Sequence, residues 1–395
     1  MLMFVFGAGA SYDSDPERTP LMHPSEDHRP PLATDLFAPA SAVGQEIVKR
    51  YPQAGALIMR LREATRQKQD VEEVLQTIAG GEESYPRTKQ QLVALSAYLA
   101  DLITDVPARW ADECQGLTNY VRALEEADRW NQAVHSDEPI VCITFNYDSL
   151  LEAAAESVFG VRLNSLDSYV SNADFRIYKP HGSVTWQQAA VWDDSNVYRR
   201  PDGTQRAIQL ATSLQWEEDR FRYRQPDFHD KGSSRRIWMP ALSIPMRRKA
   251  NFTMPSSHLA RMKEDLRQVT TVISVGWRAR ERHFLDLLQD HLGSSPAQLI
   301  AVAESVESAT ETVEELWKTG RFNRYAIGAY GFTGFTGTGG ETLGSRIGAR
   351  RDPLTLHEIL TNTQGFAQWS GRDPGNGLPP DNSEIGDINS GYLDF

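Results

Sequence analysis

The stretch MLMFVFGAGASYDSD, residues 1–15, decides how the rest of the chain is read. Leu2 to Phe6 form an apolar run that runs directly into Gly7-Ala8-Gly9-Ala10-Ser11. An apolar run of that length reads as a buried strand. Gly7 and Gly9 have no Cβ, so the backbone can turn sharply and approach a ligand closely. If a helix follows, its N–H groups and dipole favour a phosphate. The same pattern also fits a plain strand-to-helix turn, so the remainder of the chain has to decide between them.

Working outward, the apolar β-branched run Ile140 to Thr144 repeats the first strand and is followed by a helix over Leu150 to Val158. FRIYKPHGSVTW reads as a further strand and turn, while QVTTVISVGWRARERHFLDLLQDHL gives strand, Gly276 and helix again. AQLIAVAESVESATETVEELWKTG repeats the unit once more. Alternating strands and helices predict an α/β, Rossmann-like, mainly parallel sheet. Residues 13–41 read as a long polar, Pro-rich loop, of a length that tends to be functional or mobile. Residues 42 to about 135 read as a helical insertion, with Gly80-Gly81 and Pro107 as its breaks. Residues from about 187 to 255 show no strong period. Residues 1–330 are expected to form the main domain, and 331–395 a Gly- and Pro-rich C-terminal segment and tail.

The bulk numbers narrow the function. The 395 residues carry a net charge of −12, which argues against direct binding of nucleic acid. No apolar run reaches the length of a membrane span, and Leu2 to Phe6 is too short for a signal-peptide core; a cytoplasmic protein is expected. Only Cys114 and Cys142 are present, so a disulfide framework and a Cys₄ zinc site are excluded and no metal is expected.

Four strand ends carry unusual polar clusters: Gly7 to Ser11, Phe145-Asn146-Tyr147-Asp148, Lys179-Pro180-His181-Gly182-Ser183 and Gly276-Trp277-Arg278. Ligands of such sheets bind beyond these ends. Each cluster also has a structural reading. Asn146 suits a helix cap, Asp148 suits the first turn of a helix, His181 suits a turn, and Trp277 suits packing.

Taken together, GAGAS, TFNYD, KPHGS and SVGWRARERHF resemble the sirtuin-like NAD-binding domain over roughly residues 1–330. The zinc ribbon of sirtuin deacetylases has no counterpart here, and RPPLATDLF stands where their Gly-Ile-Pro-Asp-Phe-Arg loop would be. The helical insertion is similar to that of sirtuin-like subunits of bacterial anti-phage systems, which cleave NAD⁺. The resemblance implies that Gly7, Ala8, Gly9, Ala10 and Ser11 hold the diphosphate through backbone N–H groups. It implies that Asn146 fixes the ribose and attacking water, that Asp148 holds the carboxamide or braces Asn146, and that His181 is the general base. Gly276 and Trp277 would line the adenosine end. NAD is then a substrate, and the activity is NAD⁺ glycohydrolysis in anti-phage defence. A zinc-free protein deacylase and a non-catalytic nucleotide-binding scaffold are the alternatives. A homo-oligomer partnered with a HerA-type ATPase is expected, because the amphipathic helical block offers more apolar face than one sheet covers.

Overall fold

A computed structural model describes residues 1–361 apart from 21–22, 24–28, 33–34, 38–41, 68, 70, 81–84, 135–136, 193–202, 225–235, 244–251, 329 and 338–355. Gly81 of the expected helix break, parts of the 13–41 loop and the tail beyond 361 lie outside the described residues.

Nine strands are described: β1 (Leu2–Phe6), β2 (Ile140–Thr144), β3 (Phe175–Tyr178), β4 (Gly182–Trp192), β5 (Leu214–Tyr223), β6 (Arg236–Leu242), β7 (Thr271–Val275), β8 (Ala297–Val302) and β9 (Phe322–Gly328). Six of them form one sheet in the order β3-β2-β1-β7-β8-β9, with every neighbouring pair parallel. All five residues of β1 and of β2 are buried, as a strand covered on both faces requires. The fold is therefore α/β and Rossmann-like. Strand order reverses between β1 and β7, which places a topological switch point at their carboxyl ends.

The described helices are α1 (Ala8–Tyr12), α2 (Ala42–Arg50), α3 (Gly55–Arg66), α4 (Val71–Gly80), α5 (Pro86–Glu113), α6 (Asn119–Ala133), α7 (Leu150–Phe159), α8 (Gly203–Gln209), α9 (Ser256–Leu266), α10 (Arg282–His291), α11 (Val306–Trp317), α12 (Gly331–Thr336) and α13 (Leu356–Thr361). None is long and apolar enough to cross a membrane. Helix α5 runs straight through Pro107, which was expected to break it. A proline inside a helix costs about 3 kcal/mol. The neighbouring burial of Val106 and Trp110, whose indole Nε1 donates to Ser14 Oγ at 3.0 Å, outweighs that cost.

The region around 187–255 is not irregular throughout. It contributes a second, antiparallel sheet in the order β5-β4-β6. Strand β5 is half exposed and rich in Arg, Glu and Asp, so its apolar alternation is faint in the sequence. Pro240 sits in β6, an edge strand, where a missing N–H is tolerated.

Two hydrophobic cores result. One surrounds the parallel sheet and takes in α6 through Tyr120, Val121 and Leu124. The other joins α2 to α5 to the antiparallel sheet, with Leu95, Tyr98, Ile208, Met239 and Leu242 at its centre. Much of the helical insertion's apolar surface is thus packed within the chain, while Met59, Tyr85, Leu117 and Val134 stay exposed. The 13–41 segment is also packed in part. Arg29 is buried and donates to the carbonyls of Tyr12, Arg18 and His23, with its guanidinium 4.9 Å from the Trp110 ring.

The expected boundary at residue 330 cuts through packed structure. In α12, Phe332 and Phe335 are buried in the first core, and Phe332 lies against Phe6 and Tyr120. Thr333 donates its N–H and its hydroxyl to the Asp13 carboxylate at 3.0 and 2.8 Å. Burial lifts that carboxyl to about 7 despite those bonds and the Arg29 charge. Asn119 closes the network by donating to Asp13 O and Thr333 Oγ1 and accepting from Thr336 Oγ1. Phe332→Ala should therefore cost about 3–5 kcal/mol in urea unfolding, the range for a buried aromatic. A residue in a loose tail would leave the midpoint unchanged.

Candidate functional site

The glycine loop after β1 and the glycine after β7 press backbone against backbone at the switch point. A Cβ on Gly7 would lie 2.5 Å from Gly276 O, and a Cβ on Gly276 would lie 2.6 Å from Gly9 Cα. Gly276 also has φ +59, where a side chain is strained. The loops are stitched by Gly7 N–H to Val275 O at 3.0 Å and Gly9 N–H to Gly276 O at 3.1 Å, while Ala10 N–H returns to Gly7 O. Three of the N–H groups expected to hold a diphosphate are therefore engaged inside the protein. The glycines serve first to bring the β1 and β7 ends together.

That approach aims α1 so that Ser11 faces the end of β2. Ser11 Oγ donates to Asp148 Oδ2 at 2.8 Å, and Asp148 Oδ1 accepts the N–H of Leu150, the first residue of α7, at 3.0 Å. The N-cap position of α7 is Ser149, so neither Asn146 nor Asp148 is the cap, although Asp148 takes up the first N–H of the helix. The two protons of the Asn146 side-chain nitrogen are shared among three acceptors, Gly7 O at 2.8 Å, Ser11 Oγ at 2.9 Å and Tyr120 OH at 3.1 Å. Asn146 is only 8% exposed, and its Oδ1 has no partner among the described residues. The amide is therefore clamped by its nitrogen and presents its oxygen. Ser11 Oγ thus links the Asp148 carboxylate to the Asn146 amide.

The β3 end is held from behind. Lys179, fully buried, pairs with Glu152 Oε1 at 2.7 Å and donates to the Asp148 carbonyl. Burial raises the Glu152 carboxyl, and the Lys179 charge opposes that rise. Tyr169 OH adds a bond to the same oxygen at 3.2 Å. Removing either partner would leave a buried, uncompensated charge.

His181 follows, half-buried, with its ring edge-on to Phe145 at 4.9 Å and alongside Tyr147 at 6.2 Å. Desolvation, with the nearby His283 charge adding to it, lowers its pKa to about 4. The imidazole is thus neutral at neutral pH and able to accept a proton. No hydrogen bond joins His181 to Asn146 or Asp148 among the described residues. Both strand ends meet instead around Phe145, which also stacks on Trp277 at 5.2 Å with the rings 12° apart. Trp277 itself is 4% exposed, sits edge-on to Phe284 and donates Nε1 to Glu281 at 2.5 Å. Its packing in this aromatic cluster is the role the structure shows.

The sequence reading missed Tyr120, which the helical insertion brings to Ser11 and Asn146, and it missed the Lys179–Glu152 pair behind the site. Tyr120 lies in an ordinary amphipathic stretch and carries no local signal. Lys179 was visible only as the first residue of its polar cluster. Among the described residues no group of three or more His, Cys, Asp or Glu is placed to hold a metal ion.

The loop contact can be tested directly. Gly276→Ala should cost about 3–5 kcal/mol in urea unfolding, because strain and a clash with main chain add. Gly320→Ala is the control: φ is +68 there, but a Cβ would meet nothing within 4 Å. It should cost only about 1–2 kcal/mol.

Residues 140–323, less than half of the chain, match the family model of the SIR2-like domain. The matched span holds Asn146, Asp148, His181, Gly276 and Trp277, while Gly7 to Ser11 precede it. Among curated proteins none matches the chain. The six-stranded parallel sheet and this match together support a sirtuin-like family, a fold that binds and uses NAD.

Proposed function

We propose that the chain is an NAD⁺ glycohydrolase that releases nicotinamide and ADP-ribose. The observation that carries this reading is the Asn146 amide, held by its nitrogen on three acceptors with its oxygen left for a ligand. It sits at the end of β2, bonded to Gly7 beside the switch point where such sheets bind nucleotides.

In the reaction, the bond from ribose C1′ to the nicotinamide nitrogen breaks. Its electron pair goes to the ring and neutralises the pyridinium charge. C1′ becomes oxocarbenium-like, as in glycosyl transfer generally. Water adds to C1′ and gives up one proton. Asn146 Oδ1 orients a ribose hydroxyl or that water. His181, uncharged at neutral pH, takes the proton from the ribose hydroxyl or the water. Ser11 and Asp148 keep Asn146 in place, and Lys179 with Glu152 keeps the loop bearing Asp148 in place. A deacylase would share this NAD-binding machinery, so the reading is tested on NAD⁺ alone.

Purified chain incubated with NAD⁺ should yield nicotinamide and ADP-ribose without an acylated peptide. Asn146→Ala and His181→Ala should each lower the rate by about 10²–10⁴-fold while the protein stays folded. A base with its pKa near 4 stays deprotonated well below neutrality. The value of kcat/KM should therefore stay flat from pH 8 to about pH 5 and fall only as the pH drops toward 4. A limb near 6.5, the ordinary histidine value, would contradict the burial of the ring.

The motif resemblance extends the proposal to anti-phage defence, with a homo-oligomer working beside a HerA-type ATPase. Light scattering on purified chain and co-purification from native neighbours test this. A monomer at micromolar concentration, or full NAD⁺ cleavage without any ATPase recovered, counts against it.

A further inference from the structure

We infer that Tyr120 is a positioning residue of the NAD⁺ site, setting which end of the Asn146 amide faces the substrate; this rests on the NAD⁺-cleaving reading above. The inference comes from counting protons. Ser11 has one hydroxyl proton, and it goes to Asp148 Oδ2 at 2.8 Å. Toward Tyr120 OH, 2.9 Å away, Ser11 Oγ can then only accept, so the Tyr120 hydroxyl donates. The Tyr120 oxygen, its own proton spent, can only accept toward Asn146, 3.1 Å away. The two Asn146 N–H protons are shared among Gly7 O, Ser11 Oγ and Tyr120 OH, and beyond the amide the order is fixed: Tyr120 O–H to Ser11, Ser11 O–H to Asp148.

This one-way relay ends on a carboxylate, which polarises each bond behind it. Turning the amide over would place Asn146 Oδ1 against Gly7 O and against two oxygens whose protons already point elsewhere. The relay therefore selects the orientation in which Oδ1 faces outward. Tyr120 is 1% exposed and its ring is gripped edge-on by Phe6 at 5.0 Å and Phe332 at 5.3 Å, so the hydroxyl cannot swing away. Tyr120 belongs to α6, which lies in the helical insertion, so the insertion supplies a working part of the site.

The test uses full-length chain and NAD⁺. Tyr120→Phe removes the hydroxyl and keeps the ring. It should lower kcat about tenfold, the worth of a buried hydrogen bond, with KM for NAD⁺ changed less than about twofold. The double variant Tyr120→Phe/Ser11→Ala should lose no more than Ser11→Ala alone, because both break one relay. Independent losses that multiply would make Tyr120 merely structural and overturn the inference. Phe332→Leu leaves the hydroxyl and slackens its ring contact; it should show a smaller loss of kcat at constant KM, and it carries the test if Tyr120→Phe does not fold. Wild-type kcat in the folded variants overturns the Tyr120 assignment alone. Wild-type chain that leaves NAD⁺ intact overturns the glycohydrolase reading first, and this inference with it.

Discussion

Everything at the site depends on how closely two stretches of main chain approach each other. Gly7 and Gly9 on one side and Gly276 on the other leave no room for a single Cβ between the ends of β1 and β7. That distance sets the start and direction of α1. The direction of α1 puts Ser11 within reach of Asp148 and Asn146. Glycine at the switch point of a nucleotide-binding sheet is usually explained by the ligand that must come near. Here the same residues also satisfy a contact of protein with protein, and several of the loop N–H groups are committed to it.

The second constraint is electrostatic. Lys179 and Glu152 are both buried, and charges in that setting cost several kcal/mol unless they are paired and hydrogen-bonded. Lys179 meets the demand through Glu152 and the Asp148 carbonyl, and Glu152 Oε1 through Lys179 and Tyr169; Glu152 Oε2 has no partner among the described residues. Such a pair contributes little net stability. It fixes geometry, since either charge left alone would be penalised. A parallel pair, Arg176 with Asp265 at 2.5 Å, ties the other side of β3 to α9, and Tyr178 OH donates to the same carboxylate at 2.6 Å. Strand β3 is thus anchored on both flanks just before it delivers His181.

The parallel sheet was legible because its strands are buried on both faces, so each appears as an unbroken apolar run; Leu2–Phe6 and Ile140–Thr144 fall where the sequence puts them. The polar clusters at the strand ends were legible for the same reason, as abrupt changes after those runs. The antiparallel sheet was not, because β5 is half exposed along its length and offers no clean alternation. Helix α12 was hidden by its composition: GFTGFT looks like a flexible linker, yet Phe332 and Phe335 fill the core and Thr333 meets a carboxyl 320 residues earlier in the chain. Tyr120 was hidden because its partners lie far away in sequence, and no local spacing encodes a contact of that kind.

The grip of Phe332 on Tyr120 also has a meaning in time. Synthesis runs from the N-terminal side at about 5–20 residues per second. The glycine loop is made first, Tyr120 and Asn146 next, and Gly276 much later; the ring that wedges Tyr120 in place comes after all of them. The site is therefore assembled from both ends of the folded region, and its last brace arrives when nearly all the described structure has emerged. A nascent chain carries Asn146, Asp148 and His181 long before it carries Gly276 and Phe332, which complete the packing around them.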